Sequence, residues 1–180
     1  MNENIKTKQE FEEVISICRS VFLAKMKDYG SSWRILRIPS LTDQIFIKAS
    51  RIRSIEEKGV QKIDEGIKPE YIGIVNYSVI SLIQQELADD KDLALNLEEA
   101  ECLYNKYIYS ARDLMLDKNH DYGEAWREMR ISSFTDIIMM RLMRIKQIED
   151  NKGVTTVSEG VESNYFDIIN YSLFALIKMG

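Results

Sequence analysis

Apolar residues recur at helical spacing in six stretches of this chain, with charged residues on the intervening positions. Phe11, Val14, Ile15, Cys18, Phe22 and Leu23 mark a first amphipathic helix over 7–27, which Gly30 can cap because glycine accepts the left-handed conformation. A second helix is predicted over 40–58, with Leu41, Ile45, Ile52 and Ile55 on one side, and Gly59 stops it. After a polar loop over 60–68, Pro69 sits well in the first turn of a third helix running to Leu87. The same scheme predicts helices over 97–118, 132–150 and 163–179, with a loop through 152–161. Val154 to Val157 has local strand character but no partner strand, and reads as extended loop.

The second three helices repeat the first. Lys25, Asp28, Tyr29, Gly30, Trp33, Arg34 and Arg37 return at identical spacing as Lys118, Asp121, Tyr122, Gly123, Trp126, Arg127 and Arg130. Thr42, Asp43, Arg51 and Glu56 match Thr135, Asp136, Arg144 and Glu149. With one added residue in the second copy, Glu65-Gly66 and Asn76-Tyr77-Ser78 match Glu159-Gly160 and Asn170-Tyr171-Ser172. Close to half of the aligned positions are identical, so duplication organises the fold. The reading is an all-α protein: a first helical repeat over 1–88, a short charged linker over 89–96 and a second repeat over 97–180. The two three-helix units pack as one pseudo-two-fold bundle, because three amphipathic helices alone cannot hide their apolar stripes.

The 180 residues suffice for a sizeable core. A net charge of −5 argues against a protein whose main partner is a DNA or RNA backbone. The polar start and the lack of any apolar run near membrane-spanning length predict neither a signal peptide nor a membrane span, which leaves the cytoplasm as the expected compartment. Cys18 and Cys102 have no motif spacing and read as free thiols on apolar helix faces.

Two readings compete for the recurring Lys-x-x-Asp-Tyr-Gly group and its following Trp and Arg. One is a helix end in which Gly caps, Asp bonds locally and Tyr packs. The other is a ligand site, favoured because solvated side chains drift after duplication whereas Lys25/Lys118, Trp33/Trp126, Arg34/Arg127 and Arg37/Arg130 do not. On the second helix of each copy, Lys48 with Arg51, and Arg141 with Arg144, share a face. They form either an ion-pair ladder with Asp43 and Asp136 or a cationic shelf for phosphate. On the last helix Asp167, Asn170 and Tyr171 share a face, and Asn76 and Tyr77 repeat the latter two. Copy one has Gly73 where copy two has Asp167, so chemistry is expected at the site with Asp167. His120, the sole histidine, has Lys27 as its counterpart and reads as solvated.

These residues resemble a bacterial and phage family called nucleotide-modification-associated domain 1, through Lys118/Asp121/Tyr122/Gly123, Trp126, Arg141/Arg144 and Asp167/Asn170/Tyr171. More distantly the chain is similar to all-α nucleoside triphosphate pyrophosphohydrolases of the MazG and dimeric dUTPase type. It lacks their clean Glu-x-x-Glu and Glu-x-x-Asp helices. The resemblance implies a nucleotide or nucleotide-like phosphate as partner. Tyr122 and Trp126 would stack on base or ribose, Lys118, Arg130, Arg141 and Arg144 would neutralise phosphate, and Asp121, Asp167 and Asn170, with Tyr171 beside them, would hydrogen-bond sugar or base or hold a metal. Lys25, Asp28, Tyr29, Trp33, Lys48, Arg51 and Asn76 would be the first-copy counterparts. Asp167 and Asp121 are the candidate catalytic acids, and Asp136, Glu159 and Asp167 the candidate ligands of a Mg²⁺ or Mn²⁺ ion, for attack of water on a phosphoanhydride. A non-catalytic helical scaffold is the alternative, and self-pairing into a dimer is compatible with either.

Overall fold

A computed structural model describes residues 3–59, 66–157 and 159–180; of the loop expected over 60–68, residues 60–65, including Glu65, lie outside the described residues. Among them there are six α-helices and no strand: α1 (Glu3–Tyr29), α2 (Ile38–Lys58), α3 (Lys68–Glu86), α4 (Leu97–Tyr122), α5 (Ile131–Asp150) and α6 (Val161–Met179). A single 3-10 turn follows α1 (Ser32–Ile35) and another follows α4 (Ala125–Glu128). The predicted helices are all present, each within a few residues of its expected ends. No helix among the described residues is long and apolar enough to cross a membrane.

The helices stack in three pairs. α3 and α6 lie against each other in the middle, with α2 and α5 packed on one side and α1 and α4 on the other. That placement explains the sequences of α3 and α6. Covered on both sides, they bury Ile74, Val75, Val79, Leu82 and Ile83, and Ile168, Ile169, Leu173, Ala175 and Leu176. α2 and α5 need only one continuous apolar stripe, and their outer positions are mostly polar, with Ile47, Met140 and Met143 exposed among them.

Much of what recurs between the repeats serves this packing. Gly30 and Gly123 end α1 and α4 at φ of 59° and 62°, a left-handed backbone that L side chains rarely adopt. Tyr71 and Tyr165, both fully buried, cross the pseudo-two-fold to the opposite repeat. The Tyr71 hydroxyl shares a hydrogen bond with Thr135 Oγ1 at 2.7 Å, and Thr135 donates to Glu56 at 3.0 Å. In mirror fashion Tyr165 meets Thr42 at 2.9 Å, and Thr42 donates to Glu149 at 2.7 Å. Burial raises the pKa of both carboxyls above the ordinary value.

The recurring Arg34 and Arg127 are also structural. Buried Arg34 donates to Gln84 at 2.6 Å and to the carbonyls of Leu87, Asp90 and Asp92, which ties the linker to the first 3-10 turn. Arg127 reaches Glu10 and Glu124, both at 2.5 Å, and Thr7 at 2.8 Å, which ties the start of α1 to the second turn. α4 opens on a reciprocal cap between Asn96 and Glu99 that the sequence displays as Asn-x-x-Glu. Cys18 is buried and its thiol is pushed up to about 12, as an apolar helix face requires. Cys102 is exposed, contrary to expectation, because α4 is covered on fewer sides than α3.

Candidate functional site

Each repeat builds its own hollow, and the two do not share one between them. In the second repeat the end of α4, the 3-10 turn, α5 and α6 enclose about 380 Å³. Seven expected residues line it: Lys118, Tyr122, Trp126, Arg141, Asp167, Asn170 and Tyr171. Phe174, on the same face of α6 as Asp167, Asn170 and Tyr171, completes the wall with Gly123, Ala125, Met115, Asn119 and Met129; the two methionines were not foreseen, since apolar side chains carry no spacing that separates a wall from the core.

The floor is aromatic and rigid. Trp126 is 5% exposed and stacks on Phe174 at 4.4 Å between ring centroids and 11° between planes, with the Arg127 guanidinium over its other side at 4.3 Å. Tyr171 stands edge-on to Phe174 at 5.9 Å. At the mouth, Tyr122 is 77% exposed. A large ring left in solvent at matching positions of both repeats, Tyr29 being 69% exposed, has no packing reason to recur.

The polar wall centres on Asp167, which is buried. Lys118 Nζ lies 3.0 Å from one carboxylate oxygen and Arg141 Nη2 lies 2.8 Å from the other, while Arg141 Nη1 donates to Asn164 at 3.4 Å. Asn170 donates to the Ala111 carbonyl at 2.9 Å and so fixes α6 against α4. Six buried side-chain polar atoms among the described residues have no hydrogen-bond partner, and four of them belong to this wall: Asn119 Nδ2, Trp126 Nε1, Arg141 Nε and the Asn170 carbonyl oxygen. Buried polar groups are ordinarily satisfied, so such a concentration marks a place where the fold serves something besides its own stability. Three of the four are donors, which suits an acceptor-rich ligand.

The first repeat encloses about 670 Å³, lined among others by Lys25, Tyr29, Trp33, Lys48, Asn76, Tyr77 and Glu70. Its charges are arranged differently. Glu70 pairs with Lys48 at 3.3 Å and with Arg51, and it occupies the position that aligns with neutral Asn164. Gly73 makes room for the Lys48 side chain: a Cβ at residue 73 would come within 2.7 Å of Lys48 Cε. Each repeat thus carries one buried acid facing its α2 or α5 cation, but one turn apart along the helix. Sequence comparison found the loss of Asp167 at Gly73 and missed its replacement by Glu70. Asn76 is fully satisfied, donating to the Cys18 carbonyl at 3.0 Å and accepting from Tyr104 at 2.8 Å.

Several expected residues lie elsewhere. Asp121 and Asp28 are exposed and absent from either wall; Asp121 faces His120 at 3.2 Å. Arg130 and Arg37 are exposed at the N-terminal ends of α5 and α2. Arg51 is held by Glu70, and Arg144 lines an adjoining cavity with Glu159. The three expected metal ligands do not converge. Asp136 faces Arg53 at 3.8 Å, Glu159 is exposed on the loop before α6, and Asp167 has a cation on each oxygen. No group of three His, Cys, Asp or Glu among the described residues is placed to hold a metal ion.

Fold and site together define a duplicated all-helical protein with one aromatic and cationic hollow per repeat. The sequence pattern of a family described as nucleotide modification associated domain 1 matches residues 25–85 and again 118–179, which together make up more than half of the chain. The chain belongs to that family, in two tandem copies. No curated protein and no solved structure matches it.

Proposed function

We propose that the hollow of the second repeat binds a nucleotide or a nucleotide-like phosphate. The observation that carries this reading is the set of unpartnered buried polar groups in one wall, beside an aromatic floor and next to Lys118 and Arg141. A base would lie along the Tyr122 and Tyr171 rings, where stacking supplies about 1–3 kcal/mol per base, while Trp126, covered on both faces, offers its unpartnered indole N–H. Its phosphate would take up Lys118 and Arg141, which Asp167 holds in position, and arginine's planar fork suits phosphate oxygens. The family's description, which ties it to nucleotide modification, supports the same ligand class.

Hydrolysis is not part of this reading. Mg²⁺ takes several oxygen ligands, and Asp167 is the sole carboxylate of the wall, with both oxygens committed to cations.

A thermal-shift panel of nucleotides tests the proposal. Ligand at a hundred times its dissociation constant stabilises a fold by about 2.7 kcal/mol, which for a chain of this size is a rise of several degrees. Arg141→Gln should lose the shift, and the first-repeat counterpart Lys48→Gln should keep it. No shift with any nucleotide would leave the helical scaffold as the better description.

A further inference from the structure

A second cavity adjoins the hollow. It encloses about 580 Å³ between the outer half of α5, the loop before α6 and Asn164, and Arg141 is the one residue it shares with the aromatic wall. Its character is the opposite of its neighbour's. Arg144, Gln147, Asn151 and Thr156 offer donors with no aromatic ring, and Glu159 is its one carboxylate.

The difference between the repeats explains why Arg144 is available. In the first repeat Glu70 takes both cations of the shelf, Lys48 and Arg51. In the second, the aligned residue is neutral Asn164, and the acid has moved to Asp167, which reaches Arg141 alone of the two α5 arginines. Arg144 is left exposed, with no ion pair among the described residues. Arg141 and Arg144 share one helix face with their Cβ atoms about 5–6 Å apart, a spacing a chain of phosphates can bridge.

Building on the nucleotide reading above, we propose that hollow and cavity form one bipartite site for a nucleoside 5′-di- or triphosphate. The base and sugar lie in the aromatic part, the first phosphate meets Arg141 at the junction, and the later phosphates extend over Arg144 and the neutral donors of the cavity. Phosphate number is then the main determinant of affinity.

Calorimetric titration of the full chain with a nucleoside and its 5′-mono-, di- and triphosphates, for each base in ribo and deoxy form, tests this. The expected result is tightening by about ten-fold or more from mono- to triphosphate. Arg144→Gln should abolish that gain and leave monophosphate binding unchanged. Arg130→Gln removes the same charge outside both cavities, and should preserve the gain. Equal affinity for mono- and triphosphate, or equal losses in the two variants, would overturn the bipartite site while leaving the hollow as a nucleotide site. Failure of every nucleoside and nucleotide to bind would remove both proposals.

Discussion

The two hollows share a fold, an exposed tyrosine at the mouth and a lysine near the end of the long helix, yet they differ where charge is buried. The first sets Glu70 against Lys48 and Arg51 and satisfies Asn76 completely. The second sets Asp167 between Lys118 and Arg141 and leaves four polar groups of its wall unpartnered. Unsatisfied buried groups cost stability, and this contrast between a balanced and an unbalanced hollow is what supports placing the proposed ligand in the second repeat.

The largest expected contrast is in the tryptophans. Trp126 lies between Phe174 and Arg127 and is almost fully buried, so Trp126→Ala should cost about 3–5 kcal/mol. Trp33 is half-buried and its indole N–H is spent on the Met26 sulfur at 3.3 Å, so Trp33→Ala should cost less than half as much. Urea unfolding of the two variants measures the difference; equal costs would mean the two floors are built alike.

Next come the shelf cations. Arg141→Met leaves buried Asp167 with Lys118 alone and should lose about 1–3 kcal/mol. Lys48→Met leaves buried Glu70 with Arg51, a closer and less exposed partner than Lys118 is to Asp167, and should lose less than about 1 kcal/mol.

A smaller effect of opposite sign is expected at Phe11. Tyr104 donates to Asn76 in the first hollow, and Phe11 is its counterpart, packed edge-on at 5.7 Å against Phe174, one turn beyond Asn170. Phe11→Tyr should give the orphaned Asn170 oxygen a donor and raise stability by about 1 kcal/mol. A loss on chemical denaturation would mean that the hydroxyl does not fit and that the asymmetry lies in packing.

The smallest expected effect lies where the repeats are alike. Burial raises the pKa of Glu56 and Glu149 above the ordinary 4.5, so the folded state prefers them protonated. Their contribution is therefore full below that value and is lost as pH rises through the folded pKa. The double variant Glu56→Gln, Glu149→Gln keeps the acceptors for Thr135 and Thr42 and should flatten the fall in stability across that window. An unchanged pH profile would place the titrating groups elsewhere.

The fold was legible because it rests on periodicity and on repetition, both carried by single residues such as Ile45/Ile138 and Gly30/Gly123. The site was legible only in part. Recurrence singled out Lys118, Tyr122 and Trp126, which line the hollow, but it singled out Arg127 just as strongly, and Arg127 anchors α1 instead. A residue retained for packing and one retained for a ligand look the same when two copies agree. Glu70 escaped notice because its counterpart is Asn164, and its role depends on which cations α2 brings across from another helix, a three-dimensional fact with no local spacing signature.

The protein carries two tryptophans, one in each hollow, so indole fluorescence separates the repeats directly. Titration of a nucleoside triphosphate into Trp33→Phe, where Trp126 is the reporter, should give a saturable change. The same titration into Trp126→Phe, reporting from Trp33, should give a much weaker one. A response confined to Trp33, or none at either position up to millimolar nucleotide, would contradict the assignment of ligand binding to the second repeat.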